Sequence, residues 1–366
     1  MSEKYRIDLK MEHKFPYEWT LKDAQFTKDK GKVFSCFACG GGSTMGYKLA
    51  GFDVLGYNEI DPRMGKIYDE NHNPKYAYVE DIRTFKERAD LPAELYNLDV
   101  LDGSPPCSSF SSSGRREKDW GKHKVFKEGQ VAQVLDTLFF DFIDLAKKFQ
   151  PKVVIAENVK GLTTGSAKEY VKRIYASFDE AGYSCQHFLL DASQMGVPQK
   201  RVRVFFLCLR KDLVPLVGGG NDLFGGLPHI DMTFNEEEIL FSEISDHKGR
   251  EITAPRTLEC WKAHLHGEIN LANASERLYG KRNYFDYILI QEDKVCPTLT
   301  IGDHNNQLLD EVPRYISVGE RIRASSFPSD FKASEHEIGF CTGMCVPPVM
   351  LAQVASRVYD HWLSKV

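Results

Sequence analysis

From Val33 to Leu209 the chain alternates short apolar runs with amphipathic stretches, and this order limits the possible folds more than any other feature. VFSCF reads as a buried strand, ACGGGS as a glycine-rich turn, and Thr44 to Ala50 as a helix closed by Gly51. FDVLGYNEID is the next strand, followed by a short helical stretch and the turn-like NHNP; LDVLDGSPPC is a third strand. Val131, Val134, Leu135, Leu138, Phe139, Phe142 and Leu145 then share one helical face, and Pro151 stops that helix. VVIAEN is another strand. Ala167, Tyr170, Val171, Ile174, Phe178 and Ala181 form a second amphipathic helix ended by Gly182, and YSCQHFLL and VRVFFLCL read as a strand pair. Strands and helices in this alternation predict an α/β fold with a Rossmann-like, doubly wound sheet.

The alternation fails between residues 212 and 297, where VGGGNDLFGGLP and the acidic NEEE show no clear period. We read that region as a small, loop-rich second domain. Order resumes at CPTLTI and ends in a helix from Val349 to Trp362, whose start suits Pro347-Pro348. The expected organisation is an extension over 1–31, a main domain over 32–211, the small domain over 212–297, and a return segment over 298–366 that completes the main domain. A hydrophobic content of 42% with 27% charged residues is that of a globular protein. No apolar run nears the ~20 residues that cross a bilayer. The opening MSEKYRIDLKMEHK is too polar for a signal peptide, so a cytoplasmic location is expected. Nine cysteines read as reduced thiols, with Cys185 and Cys208 as small buried hydrophobes. A net charge of −5 means that any nucleic-acid binding must rest on local patches.

Four stretches carry chemistry. The turn Phe37, Ala38, Cys39, Gly40, Gly41, Gly42 lies beyond a strand's C-terminal end, where open α/β sheets bind ligands. Glu59, followed by Ile60, ends the second strand about twenty residues on, where an acid can hold ribose hydroxyls. A tight strand–helix turn would use the same glycines. Asp81, followed by Ile82, could accept from an adenine amino group, or be a solvated turn residue. In GSPPCSSF, Pro105 and Pro106 fix φ near −65° and remove two donors, so Cys107 sits on a stiff turn just past a strand end. That position favours a nucleophile over a packing thiol, provided nearby positive charge lowers its pKa. Glu157 in ENV ends another strand on the same sheet edge. Arg201 and Arg203 alternate with Val202 and Val204, so both arginines point to one face, as they also would on a half-exposed strand.

In this order the four stretches resemble the DNA (cytosine-5)-methyltransferases that use S-adenosylmethionine, of the bacterial and phage modification type. FACGGG is similar to the family's cofactor loop, NEID to its ribose-binding strand, GSPPCSSFSSSG to its nucleophile motif, ENVKGL to its acidic motif and GVPQKRVRVFFL to its arginine motif. Later, RYISVGERIRASSFP and GFCTGMCVPPVM resemble its two C-terminal motifs. The chain departs from the pattern at Ser35, Cys39, Ser108, Gly319 and Met344.

The resemblance implies a cofactor site of Phe37 to Gly42, Glu59, Ile60, Asp81, Ile82, Ser104 and Pro105. It implies Cys107 as nucleophile toward carbon 6 of a flipped-out cytosine. Glu157 would hold the ring N3 and the exocyclic amine, Arg203 the base carbonyl, and Arg201 the carboxylate or a phosphate. No metal is expected. Between Ser112 and Gln130 there are six basic and three acidic residues, which suits a loop closing on phosphates. Ser111, Ser113, Arg115 and Arg116 there are candidate DNA contacts, as are Arg277, Lys281 and Arg282 in the small domain. The partner implied is double-stranded DNA, the enzyme a monomer, and any restriction endonuclease a separate protein. Two alternatives stay open: the same chemistry on transfer RNA, and a non-catalytic DNA-binding relative.

Overall fold

The computed structural model describes residues 13–106, 137–163, 168–218, 226–301 and 306–366. Its centre is a sheet of seven strands among the described residues, in the spatial order β3-β2-β1-β4-β5-β7-β6. These are β1 (Lys32–Cys36), β2 (Asp53–Glu59), β3 (Tyr76–Val79), β4 (Val100–Gly103), β5 (Val153–Val159), β6 (Tyr183–Asp191) and β7 (Val202–Arg210). Strands β1 to β5 run parallel, and β7 pairs antiparallel with both β5 and β6. The chain starts in mid-sheet, builds outward to β3 and then returns to the other side at β4. The crevice between β1 and β4 is therefore the topological switch point, where such sheets bind ligands.

Both faces of the sheet are covered, which is why its strands are almost continuously apolar. Val33, Val100, Val153, Ile155, Phe205, Leu207 and Leu209 face one layer, packed under α1 (Gly42–Leu49) and a long C-terminal helix. Their neighbours Phe34, Leu101, Val154, Ala156, Val204, Phe206 and Cys208 face the other. Helices α2 (Pro62–His72), α3 (Ile82–Glu87), α4 (Leu138–Phe149) and α5 (Lys168–Glu180) complete the main wrap. The amphipathic run expected from Val131 is helical from Leu138; its first residues lie outside the described residues. Strand β3 went unseen in the sequence because it is a four-residue strand with every second residue exposed.

The region over 212–297 contains α6 (Phe241–Ile244), α7 (Pro255–Ala263), α8 (Ala272–Tyr279) and β8 (Ile288–Ile290). Strand β8 pairs in parallel with β9 (Gln307–Leu309). A separate small core of Ile252, Cys260, Leu271, Ala274, Leu289, Leu308 and Tyr315 forms there, so this lobe draws on residues past 297. The return then runs through α9 (Val318–Ala324), α10 (Glu335–Met344) and α11 (Pro348–His361). Buried Arg314 pairs with buried Glu320 at 2.7 Å, and Glu320 also caps α9 with Ser317, which fastens the lobe to the return segment. The N-terminal stretch is partly core: Trp19 is buried and its indole nitrogen donates to the Ser326 carbonyl at 2.9 Å.

Two expectations need correction. Cys185 and Cys208 are not free: the β6–β7 register sets them directly opposite, with Cα atoms 4.0 Å apart, and they form a disulfide. Residues Glu335–Lys365 are also long and apolar enough to cross a membrane, contrary to the reading of the sequence. That segment is almost wholly buried inside the domain, because α10 and α11 are core helices separated at Pro347.

Helices α1 and α11 approach through Gly46. A Cβ there would lie 2.6 Å from the Pro348 carbonyl oxygen and 2.7 Å from Leu351 Cβ. Gly46→Ala should therefore destabilise the fold by about 1–2 kcal/mol. Overpacking costs about 1–3 kcal/mol and outweighs the helix propensity gained. Urea unfolding reads this as a lower midpoint; an unchanged or higher midpoint contradicts the packing.

Candidate active site

Side-chain alternation brings the polar residues of four strands to one place. Ser35 on β1, Asp102 on β4, Glu157 on β5 and Arg203 on β7 all continue the α1–α11 face of their strands, at the ends nearest the glycine turn. Arg203 is opposite Val159 in the β5–β7 ladder, so Glu157 is its diagonal neighbour. Arg203 Nε lies 3.0 Å from Glu157 Oε1. Burial raises the pKa of Glu157, opposed by the charges of Arg203 and Arg201 and by a hydrogen bond from Ser104. The net effect is a proton held more tightly than on an ordinary glutamate.

Asn158, which sequence reasoning passed over, joins this strand to the proline turn. Its Nδ2 donates to the Pro105 carbonyl at 2.9 Å, and its Oδ1 accepts from the Val159 amide. Ser104 and Pro105 are thus both held by β5, and the turn that leads into Cys107 is fixed beside Glu157. Cys107 itself lies outside the described residues, as do Ser108, Ser111, Ser113, Arg115 and Arg116.

Arg201 differs from the expectation. It is 1% exposed, so no phosphate reaches it. Its guanidinium donates to the carbonyls of Leu299 (3.2 Å), Gly343 (2.8 Å), Met344 (3.5 Å) and Cys345 (3.1 Å). It caps the C-terminal end of α10, where a cation is favoured. Burial lowers its pKa to about 9. Arg201 therefore acts on Glu157 only through its field while fixing the return segment to the sheet.

At the glycine turn, Phe37 (φ 54°), Cys39 (φ 48°) and Gly41 (φ 90°) are left-handed at alternate positions and curl the loop back over the sheet edge. The glycines have a further reason besides ligand approach. A Cβ on Gly40 would lie 2.6 Å from Cys341 Sγ, one on Gly42 2.5 Å from the Val346 carbonyl, and one on Gly41 2.2 Å from His72 Nε2. The loop is packed against α2 and the α10–α11 turn, where the thiol of Cys39 meets those of Cys341 and Cys345. Glu59 accepts from the Cys39 amide (2.8 Å) and the Asp61 amide (2.9 Å), one on each oxygen. Each oxygen keeps a second lone pair, so the carboxylate is fit to accept from ribose hydroxyls. Burial raises the pKa of Glu59 against the pull of those amides.

Ile60 is half-buried. Asp81 caps α3 and is paired with the Arg83 side chain, Nε to Oδ1 at 2.9 Å. The side chain of Ile82 packs in the core under the sheet. In the small lobe, Arg277 is engaged by both oxygens of Glu268, at 2.6 and 3.0 Å. Lys281 and Arg282 are exposed, with Arg282 lying over the Phe285 ring.

Asp102 is the other residue that the sequence did not disclose. It is buried between Ser35 Oγ at 2.7 Å and the Tyr47 hydroxyl at 3.2 Å. It thus places an acid next to position 35, where the family pattern has one and this chain has serine.

The sequence profile of the family described as C-5 cytosine-specific DNA methylase matches residues 31–360, and the chain belongs to that family. It is 36% identical over 182 residues to the Type II methyltransferase M.FnuDI of Fusobacterium nucleatum, covering 50% of this chain and 48% of that protein. Against the Type II methyltransferase M.NmeDI of Neisseria meningitidis it is 25% identical over 352 residues, covering 84% and 78%. The chain spans about half the length of the first of these, and of M.NgoPII of Neisseria gonorrhoeae (49%). The fold is similar to that of a Spodoptera frugiperda DNMT2 variant, with a TM-score of 0.60, 15% identity and coverage of 90% of this chain and 99% of that one. It is also similar to the Entamoeba histolytica methyltransferase EhMeth, with a TM-score of 0.57, 14% identity and coverage of 90% and 98%.

Burial raises the Asp102 pKa to about 7, against the hydrogen bonds of Ser35 and Tyr47 and with the help of Glu157. The folded state then binds this proton more tightly than the unfolded chain does. Its penalty is absent below the unfolded pKa near 4 and grows as pH rises to about 7. Asp102→Asn should thus match the parent near pH 4 and exceed it by about 2–4 kcal/mol at pH 8. Denaturant unfolding across that range checks it; a constant difference contradicts it.

Proposed function

We propose that this protein transfers a methyl group from S-adenosylmethionine to carbon 5 of cytosine in duplex DNA, with Cys107 as the nucleophile. The observation that carries this reading is the Glu157–Arg203 pair, tied through Asn158 to the turn from which Cys107 follows.

Carbon 5 of cytosine is a weak nucleophile. Addition of the Cys107 thiolate to carbon 6 breaks the ring's aromaticity and moves an electron pair onto carbon 5, which divides one hard step into two easier ones. Glu157, whose proton is held tightly, hydrogen-bonds N3 and the exocyclic amine and offsets the negative charge that the thiolate brings. Arg203 binds the base carbonyl and keeps the carboxyl oriented. Bound S-adenosylmethionine, for which the loop from Phe37 to Gly42 and the free lone pairs of Glu59 form the site, supplies an electrophilic methyl. Loss of the carbon-5 proton to a base then restores the double bond and expels the Cys107 thiolate.

A base stacked in a duplex cannot present carbon 6 to a thiol, so the target is rotated out of the helix. Lys281 and Arg282, exposed on the small lobe, suit contacts to phosphates. We place the enzyme in the cytoplasm as a monomer, with any restriction endonuclease a separate protein.

The test is methyl transfer from labelled S-adenosylmethionine to plasmid DNA and to transfer RNA, with bisulfite sequencing to locate the product. Label should enter duplex DNA at carbon 5. Glu157→Gln should lose about 10²–10⁴-fold in rate. Incorporation into transfer RNA alone, or full activity of Glu157→Gln, overturns the proposal.

A further inference from the structure

Given that the glycine turn binds S-adenosylmethionine, as proposed above, we propose that Asp102 is the counter-charge for the cofactor's cationic end. It does from β4 what Ser35, having no charge, cannot do from β1.

The sheet order sets where that end lies. Glu59, fit to accept from the ribose, ends β2, and the Glu157–Arg203 pair beside the target base lies on β5 and β7. Only β1 and β4 stand between β2 and β5. The sulfonium joins the ribose to the amino-acid end and has to bring its methyl to the base, so its charge falls over the β1–β4 crevice. Ser35 and Asp102 are opposite each other in the β1–β4 ladder, near the strand ends that form this crevice. Asp102 is the one acid of the pair.

The surroundings of Asp102 leave its charge without a partner. It is 2% exposed, and the groups that hydrogen-bond it are the hydroxyls of Ser35 (2.7 Å), Tyr47 (3.2 Å) and Ser43. Hydroxyls donate to a carboxylate but bring no charge to balance it. Among the described residues Asp102 has no ion pair: Arg203 is taken by Glu157, and Arg201 by the carbonyls at the end of α10. The charge that acts on Asp102 is a second carboxyl, that of Glu157, which repels it.

A carboxyl buried in this way costs the empty fold stability. For packing alone, an amide would accept the same hydrogen bonds without that cost. The group that turns the cost into a gain is a cation arriving with the ligand. S-adenosylmethionine brings two, a sulfonium and an ammonium, against one carboxylate. In so dry a site the attraction is weakly screened, so Asp102, though covered, acts through its field. Through Ser43 and Tyr47 it also holds the first turns of α1, which follow the glycine turn. It is a positioning residue: it keeps the donor over the crevice and takes no part in the bond changes at cytosine.

Calorimetry on the full chain tests this at pH 8, above the Asp102 pKa of about 7. Two probes are used: S-adenosylmethionine, and 5′-methylthioadenosine, the same thionucleoside without sulfonium or amino-acid end. A cation within ~4–6 Å of a carboxyl favours its ionised form about ten- to a thousandfold, and linkage returns that factor as affinity. Asp102→Asn should therefore bind S-adenosylmethionine about tenfold more weakly or worse, and methylthioadenosine as the parent does. In urea this variant should be no less stable than the parent, which separates lost attraction from a damaged fold. Ser35→Asp/Asp102→Ser, which moves the acid across the ladder to β1, should recover the binding of S-adenosylmethionine. Equal affinity for S-adenosylmethionine in parent and Asp102→Asn overturns the proposal. So does an equal loss for both probes, or a folded double variant that binds no better than Asp102→Asn. A parent that binds no S-adenosylmethionine overturns the cofactor reading as well, and is told apart because the parent itself then fails.

Discussion

A carboxyl group at 9% exposure, in line with the hydrophobic face of β5, is tolerable only with a partner, and Arg203 is that partner at 3.0 Å. Removing one member of a buried ion pair leaves an uncompensated charge, at a cost of about 3–5 kcal/mol. The pair exists because β7 runs antiparallel to β5, which makes residues 157 and 203 diagonal neighbours on one face. A parallel strand in that position would set a different register. The antiparallel β6–β7 insertion thus fixes the chemistry as well as the edge of the sheet.

The remaining site residues divide between holding and reacting. Arg201, Asn158 and the three loop glycines hold: each is engaged by backbone or packed against a neighbouring element. Arg201 joins the arginine motif to the end of α10, and Arg314 with Glu320 joins the small lobe to α9. Several motifs that are far apart in the chain are thus the two sides of one joint between the first part of the main domain and its return segment. Glu157, Arg203 and Glu59 are left with unshared capacity at the sheet edge.

The order of strands and helices was legible because both faces of the sheet are buried and the helices are amphipathic, so each element has its own period. Glu157 stood out at a strand end, where such sheets bind ligands, and Arg203 through its alternation with valines and the motif resemblance. Asp102 could not, since its meaning comes from Ser35, 67 residues away in the chain, and from Tyr47. Nor could the pairing of Cys185 with Cys208, which depends on a register that sequence does not specify. Helices α7 and α8 escaped notice because the small lobe has a core of only a few side chains and leaves much apolar surface exposed, such as Leu265, Ile269 and Phe285. The partners of Asp81 and Arg277 were also illegible: a charged residue looks free in a sequence until Arg83 or Glu268 is placed beside it.

The central claim is that a thiol presented beside Glu157 bonds to the base. Incubation with S-adenosylmethionine and duplex DNA containing 5-fluorocytosine tests it directly, because fluorine at carbon 5 cannot leave as a proton and the adduct persists. Denaturing electrophoresis and mass spectrometry should find protein joined to DNA through Cys107, with no adduct in Cys107→Ser. Methyl transfer to unmodified DNA without any trapped adduct, or an adduct retained in Cys107→Ser, would contradict the account.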